Sequence, residues 1–313
     1  MIKNNKKIII VVSCLILLVL ITGLAYYLIT SLDYNKTLLN TPKNSGSNNS
    51  ELESTAEVSD IGTDKVIYIL FLGIDKTEER EEWLGVYRSD TIMIGKVDIT
   101  NKKIQLLSIP RDTYTYIPIE GKFDKINHAY AYGSVKGDGV SASIDAVSHL
   151  LGKNVINYYF LMNMEPIPNI VDEIGGVKVD VEIDMKDHGA NLSKGVQILN
   201  GRQAFDYIHW RYSPGGDIDR IQRQQKFLNA LYKQQRDSGE ILETLNIILK
   251  YKNEMKTDLT LKQMIALTKL LSEIPGENVE QTFIPGKGQM INNISYWVPD
   301  QKKTEKILSE FIE

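Results

Sequence analysis

From Ile8 to Thr30 the chain runs 23 residues without a charge, and Lys3, Lys6 and Lys7 stand directly before that run. An apolar stretch of this length crosses the roughly 30 Å hydrocarbon core of a bilayer as a helix. It is too long for a signal-peptide core of about 7 to 15 residues, and no small-x-small cleavage site follows it. The lysines on its N-terminal side place that end in the cytoplasm and everything after it outside, a single-pass type II arrangement at the cell membrane. Residues 31 to 64 are rich in Asn, Ser, Thr and Glu and poor in apolar side chains, the composition of a solvated stalk. The sequence thus divides into a cytoplasmic tail (1–7), a transmembrane helix (8–30), a flexible extracellular stalk (31–64) and one folded domain (65–313).

That domain folds on its own apolar core. The single cysteine, Cys14, lies in the membrane run, so the outer domain has neither disulfides nor a cysteine zinc site. At 42% hydrophobic residues the chain has enough apolar surface to build a core. A net charge of −4 and a pI near 5.7 argue against nucleic acid as a partner, and a seven-residue cytoplasmic tail has no room for a DNA-binding module.

Val66 to Leu72 is a continuous β-branched and aromatic run closed by Gly73, as in a strand buried on both faces. Thr91–Asp98 and Ile104–Ile109 also read as strands, and the short polar link between them predicts a hairpin. A hairpin brings its outer ends together, so Arg88 and Asp90 meet Arg111 and Asp112. If the first strand runs parallel to the third, Asp75 reaches the same edge. Carboxyl ends of strands are where open α/β sheets bind ligands. Asp75 and Asp90 are oxygen donors suited to Mg²⁺, which prefers one or two carboxylates plus substrate phosphates, and the arginines would complete a phosphate cage. A pair of surface salt bridges would have the same sequence.

Further on, Phe123–Gly133 predicts a loop entering a short helix, with Lys125 and His128 near its start. Ser141–Leu151 predicts an amphipathic helix capped by Gly152. Tyr158–Met162 and Val177–Ile183 read as strands on either side of a helix at Pro166–Ile174, and a short helix opens at Asn200–Gly201. Helices at Ile241–Tyr251 and Leu261–Ile274, a strand at Gln281–Ile284 and a terminal helix after Pro299–Asp300 complete an α/β (α+β) domain, a mixed central β-sheet flanked by helices.

The densest constellation is Arg211–Gln225, RYSPGGDIDRIQRQQ. Asp217 predicts an N-cap, with Ile218 as the first helical residue and Arg220, Arg223 and Gln224 on one side of the first turns. Free backbone amides, the helix dipole and guanidinium forks together favour phosphate oxygens there. A solvated, salt-bridged helix start has the same composition. Ile221, Leu228 and Leu231 carry the stripe onward from Gln224. The resulting gradient suits a ligand with an anionic head and a greasy tail, although an ordinary core helix with a polar start looks the same.

Taken in order, LFLGID (70–75), RSDT (88–91), SIPRDT (108–113), KINHAY (125–130), IGGV (174–177), LNG (199–201) and GDIDRIQRQQ (216–225) closely resemble the LytR-CpsA-Psr family of Gram-positive bacteria. The resemblance implies a phosphotransferase. It would move an anionic glycopolymer, wall teichoic acid or capsular polysaccharide, from an undecaprenyl diphosphate carrier to peptidoglycan. By motif match, Asp75 and Asp90 would hold Mg²⁺, or Mn²⁺ in its place. Arg88, Arg111, Arg211, Arg220 and Gln224 would bind the diphosphate, and Asp75, Asp90 and Arg111 would serve catalysis. His209 stands where the family commonly has another arginine, so one fixed charge of the family pattern is missing. Asp75 and Asp112 are both candidates for the base. A polyprenyl diphosphate phosphatase would use the same cage with water as the nucleophile, and a membrane regulator of the envelope would have no reaction at all.

The charge asymmetry generates a first prediction. Protease added to intact protoplasts should remove the domain at residues 65–313, and full protection of that domain would overturn the type II topology.

Overall fold

The structure is a computed structural model and describes residues 58–61, 64–74, 86–238, 250–312 and a few positions between 240 and 248. The predicted membrane helix, nearly all of the stalk, Asp75 and much of the predicted helix at 241–251 lie outside these residues. Among the described residues no helix is long and apolar enough to cross a membrane.

In chain order, the first half contains β1 (Val66–Ile74), β2 (Ser89–Asp98), β3 (Lys103–Ser108), β4 (Tyr114–Ile117), β5 (Lys122–Lys125), α1 (His128–Lys136), α2 (Gly139–Leu151), β6 (Tyr158–Asn163), α3 (Ile167–Glu173) and β7 (Val177–Val181). The second half contains β8 (Gly195–Leu199), α4 (Gly201–His209), α5 (Asp217–Ser238), β9 (Met255–Thr257), α6 (Leu261–Glu273), β10 (Val279–Phe283), β11 (Gly286–Ile291), β12 (Ile294–Pro299) and α7 (Gln301–Ile312).

Six strands form one mixed sheet in the order β10-β3-β2-β1-β6-β9. The β2–β3 hairpin forms as its sequence predicts, and β1 pairs antiparallel with β2 and parallel with β6. Since β3 also pairs parallel with β10, the strands β1, β3, β6 and β10 all run one way and deliver their carboxyl ends to a single edge. The start of β2 lies at the same edge, where Ile74 sits opposite Ser89 after a register shift at Gly73/Ile74. A bulge of this kind bends a strand and re-aims its side chains.

The continuous apolar run of β1 is explained by burial on both faces. Ile67, Ile69 and Phe71 enter one core with Phe227 and Leu231 of α5 and the apolar side of α6. Tyr68, Leu70 and Leu72 enter the other, with Ala146 and Val147 of α2 and Leu308 and Phe311 of α7. Period-two alternation within an all-apolar strand is what a sheet covered on both sides requires.

Three sequence expectations need correction. The Phe123–Gly133 stretch does enter a short helix, at His128, but its first residues are not a loop; they belong to β5 (Lys122–Lys125), paired antiparallel with β4. Asp217 is the first residue of α5, not its N-cap. Gly216, at φ 53°, makes the turn into the helix, and Gly215 N donates to the Asp219 carboxylate at 2.9 Å, so Asp219 ties down the turn expected of Asp217. Five short strands, β4, β8, β9, β11 and β12, are not among the elements expected from sequence.

Gly201 starts α4 against α3 with no room for a side chain, since a Cβ there would meet the Pro168 carbonyl oxygen at 1.9 Å. Alanine is the better helix former by about 1 kcal/mol, yet this clash is with backbone. Gly201→Ala should therefore lower stability by about 1–3 kcal/mol in denaturant melts, and a stabilised variant would show that the α3–α4 contact yields freely.

Candidate functional site

Arg111 lies three residues beyond β3 and Asp90 is the second residue of β2, so the hairpin sets them side by side. Arg111 Nη1 lies 2.8 Å from Asp90 Oδ1. The first turn of α5 reaches the same place. Asp217 Oδ1 is 2.6 Å from Arg220 Nη2 and 3.7 Å from Arg111 Nε, and Arg220 Nη2 also approaches the Asp90 carbonyl oxygen at 3.4 Å. Asp90, Arg111, Arg220 and Gln224 line one pocket with Thr91, Ser108 and Gln225. Four of the seven residues singled out by sequence are thus brought together.

Two more flank them. Arg88, just before β2, and Arg211, in the loop before α5, are exposed, and neither pairs with a carboxylate among the described residues. Arg211 is close enough to depress the pKa of Arg220. The seventh, Asp75, lies outside the described residues.

The electrostatics favour an anion. Burial opposes the charge on Arg111, but Asp90, Asp217 and Asp112 outweigh it and hold its pKa above the ordinary arginine value. At Arg220, only 4% exposed, burial wins and pushes the pKa down; Arg111 and Arg211 add to it, while Asp217 and Asp90 oppose it. The Nε–H groups of Arg111 and Arg220 are both shielded from solvent and donate to nothing among the described residues. Buried donors are normally satisfied, and two orphaned guanidinium donors in one pocket are suited to phosphate oxygens.

Arg223 departs from the sequence expectation. It points away from the pocket, 2% exposed, with Nη2 donating to the Trp210 carbonyl at 2.5 Å and the guanidinium 5.4 Å from the indole centroid. Nη1 lies 3.4 Å from Glu182. Arg223 therefore holds the loop that presents Arg211. His209 is engaged on its own helix, its ring stacked 3.9 Å from Phe205.

Asp90 is a hard oxygen donor of the kind Mg²⁺ accepts, but its Oδ1 is on Arg111, leaving Oδ2 for a cation. Among the described residues no cluster of three or more His, Cys, Asp or Glu forms a metal cage. That free oxygen suits a cation completed by substrate oxygens; Asp75, the second carboxylate expected from sequence, lies outside the described residues.

Beside the arginine pocket lies an apolar cavity of about 110 Å³. It runs between β1, β6 and α3 on one side and Phe227, Leu228 and Leu231 of α5 on the other. The two pockets share Thr91 and Gln224. Gly73 keeps the junction open, since a Cβ there would lie 3.0 Å from Thr91 Cβ and 3.2 Å from Met164 Sδ. Neither Gly73 nor Thr91 had a role from sequence, although both sit inside the motifs LFLGID and RSDT. The polar-to-apolar gradient along α5 is therefore realised as a head pocket continuing into a tail cavity.

The chain matches the LytR_cpsA_psr family model over residues 29–313. It is 35% identical over 252 residues to a polyisoprenyl-teichoic acid–peptidoglycan teichoic acid transferase TagU of Bacillus mycoides, covering 80% of this chain and 79% of that protein. The fold is similar to the crystal structure of B. subtilis TagV, with a TM-score of 0.64 at 27% identity over 80% of this chain and 96% of that one. It is also similar to TagT bound to LI-WTA, with a TM-score of 0.62 at 27% identity over 79% and 89% of the two chains.

The two buried arginines of α5 should separate cleanly by assay. Arg223→Ala should cost on the order of 3 kcal/mol of stability, because it leaves the Trp210 carbonyl and Glu182 without their guanidinium. A melting temperature unchanged from wild type would remove Arg223 from this structural role.

Proposed function

Because the chain belongs to the LytR_cpsA_psr family, we propose that it transfers an anionic glycopolymer, of the wall teichoic acid or capsular polysaccharide type, from an undecaprenyl diphosphate carrier to peptidoglycan, forming a phosphodiester. The observation that carries this reading is the apolar cavity opening onto the arginine pocket through Thr91 and Gln224. A lipid-linked diphosphate needs both halves, one for the polyprenyl tail and one for the charged head.

Arg111 and Arg220 supply the inner donors, through the orphaned Nε–H groups, and Arg88 and Arg211 bring charge from the rim that has no carboxylate partner among the described residues. Gln224 stands where head meets tail, its Nε2 donating to the Ile208 carbonyl at 3.2 Å and its side chain lining both pockets. With the diphosphate so held, an acceptor sugar hydroxyl attacks the phosphorus next to the polymer. The bond from that phosphorus to the lipid phosphate breaks, and the hydroxyl proton passes to a carboxylate, Asp75 or Asp112. The chain contributes position and charge neutralisation, which is most of what phosphoryl transfer demands. Mg²⁺, held by Asp75 and Asp90, would act when bound as a Lewis acid on the diphosphate oxygens. The apolar run at 8–30 would anchor the domain on the outer membrane surface, where such a carrier is presented.

Arg211→Ala tests the cage most directly, because an exposed, unpaired residue can be removed without disturbing the core. Transfer should fall about a hundredfold, the loss typical of one preorganised stabilising group, with melting unchanged. A solvated surface cation would cost at most about 1 kcal/mol, near fivefold. Assaying lipid phosphate release with and without peptidoglycan separates a transferase from a phosphatase, and release that ignores the acceptor would overturn the transfer reading. Leu228→Trp, which fills the cavity, should abolish binding of a polyprenyl phosphate while leaving the domain folded; undiminished binding would place the tail elsewhere.

A further inference from the structure

The β4–β5 hairpin begins at the reactive pocket and carries side chains that the chemistry above does not use. In its register Tyr114 faces Lys125 and Tyr116 faces Phe123, so these four project from one face. The opposite face buries Thr115 and Ile117 toward α2. On the outward face Phe123 is 56% exposed, stacked on Tyr114 at 5.3 Å and 29° and met edge-on by Tyr116 at 5.6 Å. Tyr296 of β12 closes the base, 4.9 Å from Tyr114, and Lys125 Nζ lies 5.7 Å from its ring. An exposed phenylalanine held by two tyrosines is an unusual surface for a soluble domain, where contiguous apolar patches mark binding sites.

We infer that this aromatic face is a pyranose-stacking subsite for the acceptor glycan, an assignment that rests on the transferase reading. The apolar C–H face of a sugar ring matches the electron-rich face of an aromatic ring, and its edge hydroxyls need polar partners, here the hydroxyls of Tyr114 and Tyr116. Charge decides between donor and acceptor. The hairpin's cations are already paired: Lys125 with Asp112 at 2.9 Å, Lys122 with Glu120 at 3.6 Å, and neighbouring Lys136 with Glu120 at 2.6 Å. Among the described residues Arg88 and Arg211, at the rim of the pocket, have no carboxylate partner. A polyanionic donor chain is drawn to that rim, which leaves the charge-paired aromatic face to the less charged acceptor glycan.

Position supports the same assignment. Lys125 and Asp112 join the base of the hairpin to Arg111, which lies 3.9 Å from Asp112. Phe123 pairs with Tyr116, four residues beyond Asp112, or about 13 Å along an extended strand. A sugar stacked on Phe123 is therefore not the reacting one but a neighbour further along the strand, and the face recognises a chain rather than a single sugar.

The test compares Phe123→Ala and Phe123→Trp in the full chain held in nanodiscs, with soluble uncrosslinked glycan strands of graded length as acceptors. For long strands, Phe123→Ala should raise the acceptor KM about five- to tenfold, with kcat and the KM for the lipid-linked donor unchanged, and Phe123→Trp should restore it. The shortest acceptor, unable to reach the ring, should not distinguish the variants. Equilibrium binding of the strands, followed through their own NMR signals, reports on the face even if wild type transfers nothing, so failure of the subsite and failure of the transferase reading are read separately. Long-strand binding unaffected by Phe123→Ala would overturn the subsite. An equal loss for lipid-free anionic polymer would give the face to the donor and overturn the acceptor assignment.

Discussion

Two guanidinium groups do not share a buried pocket without a counter-charge, and the site is organised around how that charge is supplied. Asp217 lies between Arg111 and Arg220, one from the sheet edge and the other from the helix that crosses it. Its carboxylate offsets their mutual repulsion and joins two elements about a hundred positions apart in sequence. An aspartate in the first turn also suits the helix dipole, which the arginine beside it opposes. The arginines are thus preorganised, so little reorganisation remains when an anion arrives. The arrangement has a second consequence. Asp217 competes with any bound anion for the charge of the two guanidinium groups and limits how tightly the pocket can hold it.

The sheet makes this contact possible. Because β1 and β3 run parallel on either side of β2, the motif after each strand emerges at one edge. The hairpin logic that placed Asp90 beside Arg111 was legible because it depends only on strand direction and link length. The buried run of β1, the amphipathic α2 with Gly152 beyond its end, and the α5 stripe were legible for a similar reason, since burial on a sheet or helix face imposes a period.

What was not legible has equally physical causes. Strand β8 exposes Val196 and Ile198 at 65% each and so inverts the pattern by which a strand is recognised. Strands β4 and β5 are four residues each, too short for a period to show, and the outward face of the hairpin carries aromatic side chains that contact one another across it. Arg220 and Arg223 are three residues apart, a spacing that places them on adjoining faces, and only the path of the Trp210–Ser213 loop decides which one meets the substrate pocket. Asp217 was misassigned because a cap and an ion-pair partner require the same residue type at nearly the same position. Gly73 and Thr91 passed without a role because their contribution is the space they leave open, and space has no sequence signal of its own.

Helix α5 also acts as a ruler. Its first turn holds Arg220, and its fourth places Leu228 and Leu231 along the cavity, with Leu231 about 16 Å beyond Arg220 at 1.5 Å per residue. A polyprenyl chain that inhabits a bilayer roughly 30 Å thick is longer than that. On the proposed function, only the first isoprene units beyond the phosphate would then need to enter the protein, the remainder staying dissolved in the membrane. The carrier would accordingly be gripped by its neck rather than extracted, with the distance from phosphate to lipid set by a rigid helix.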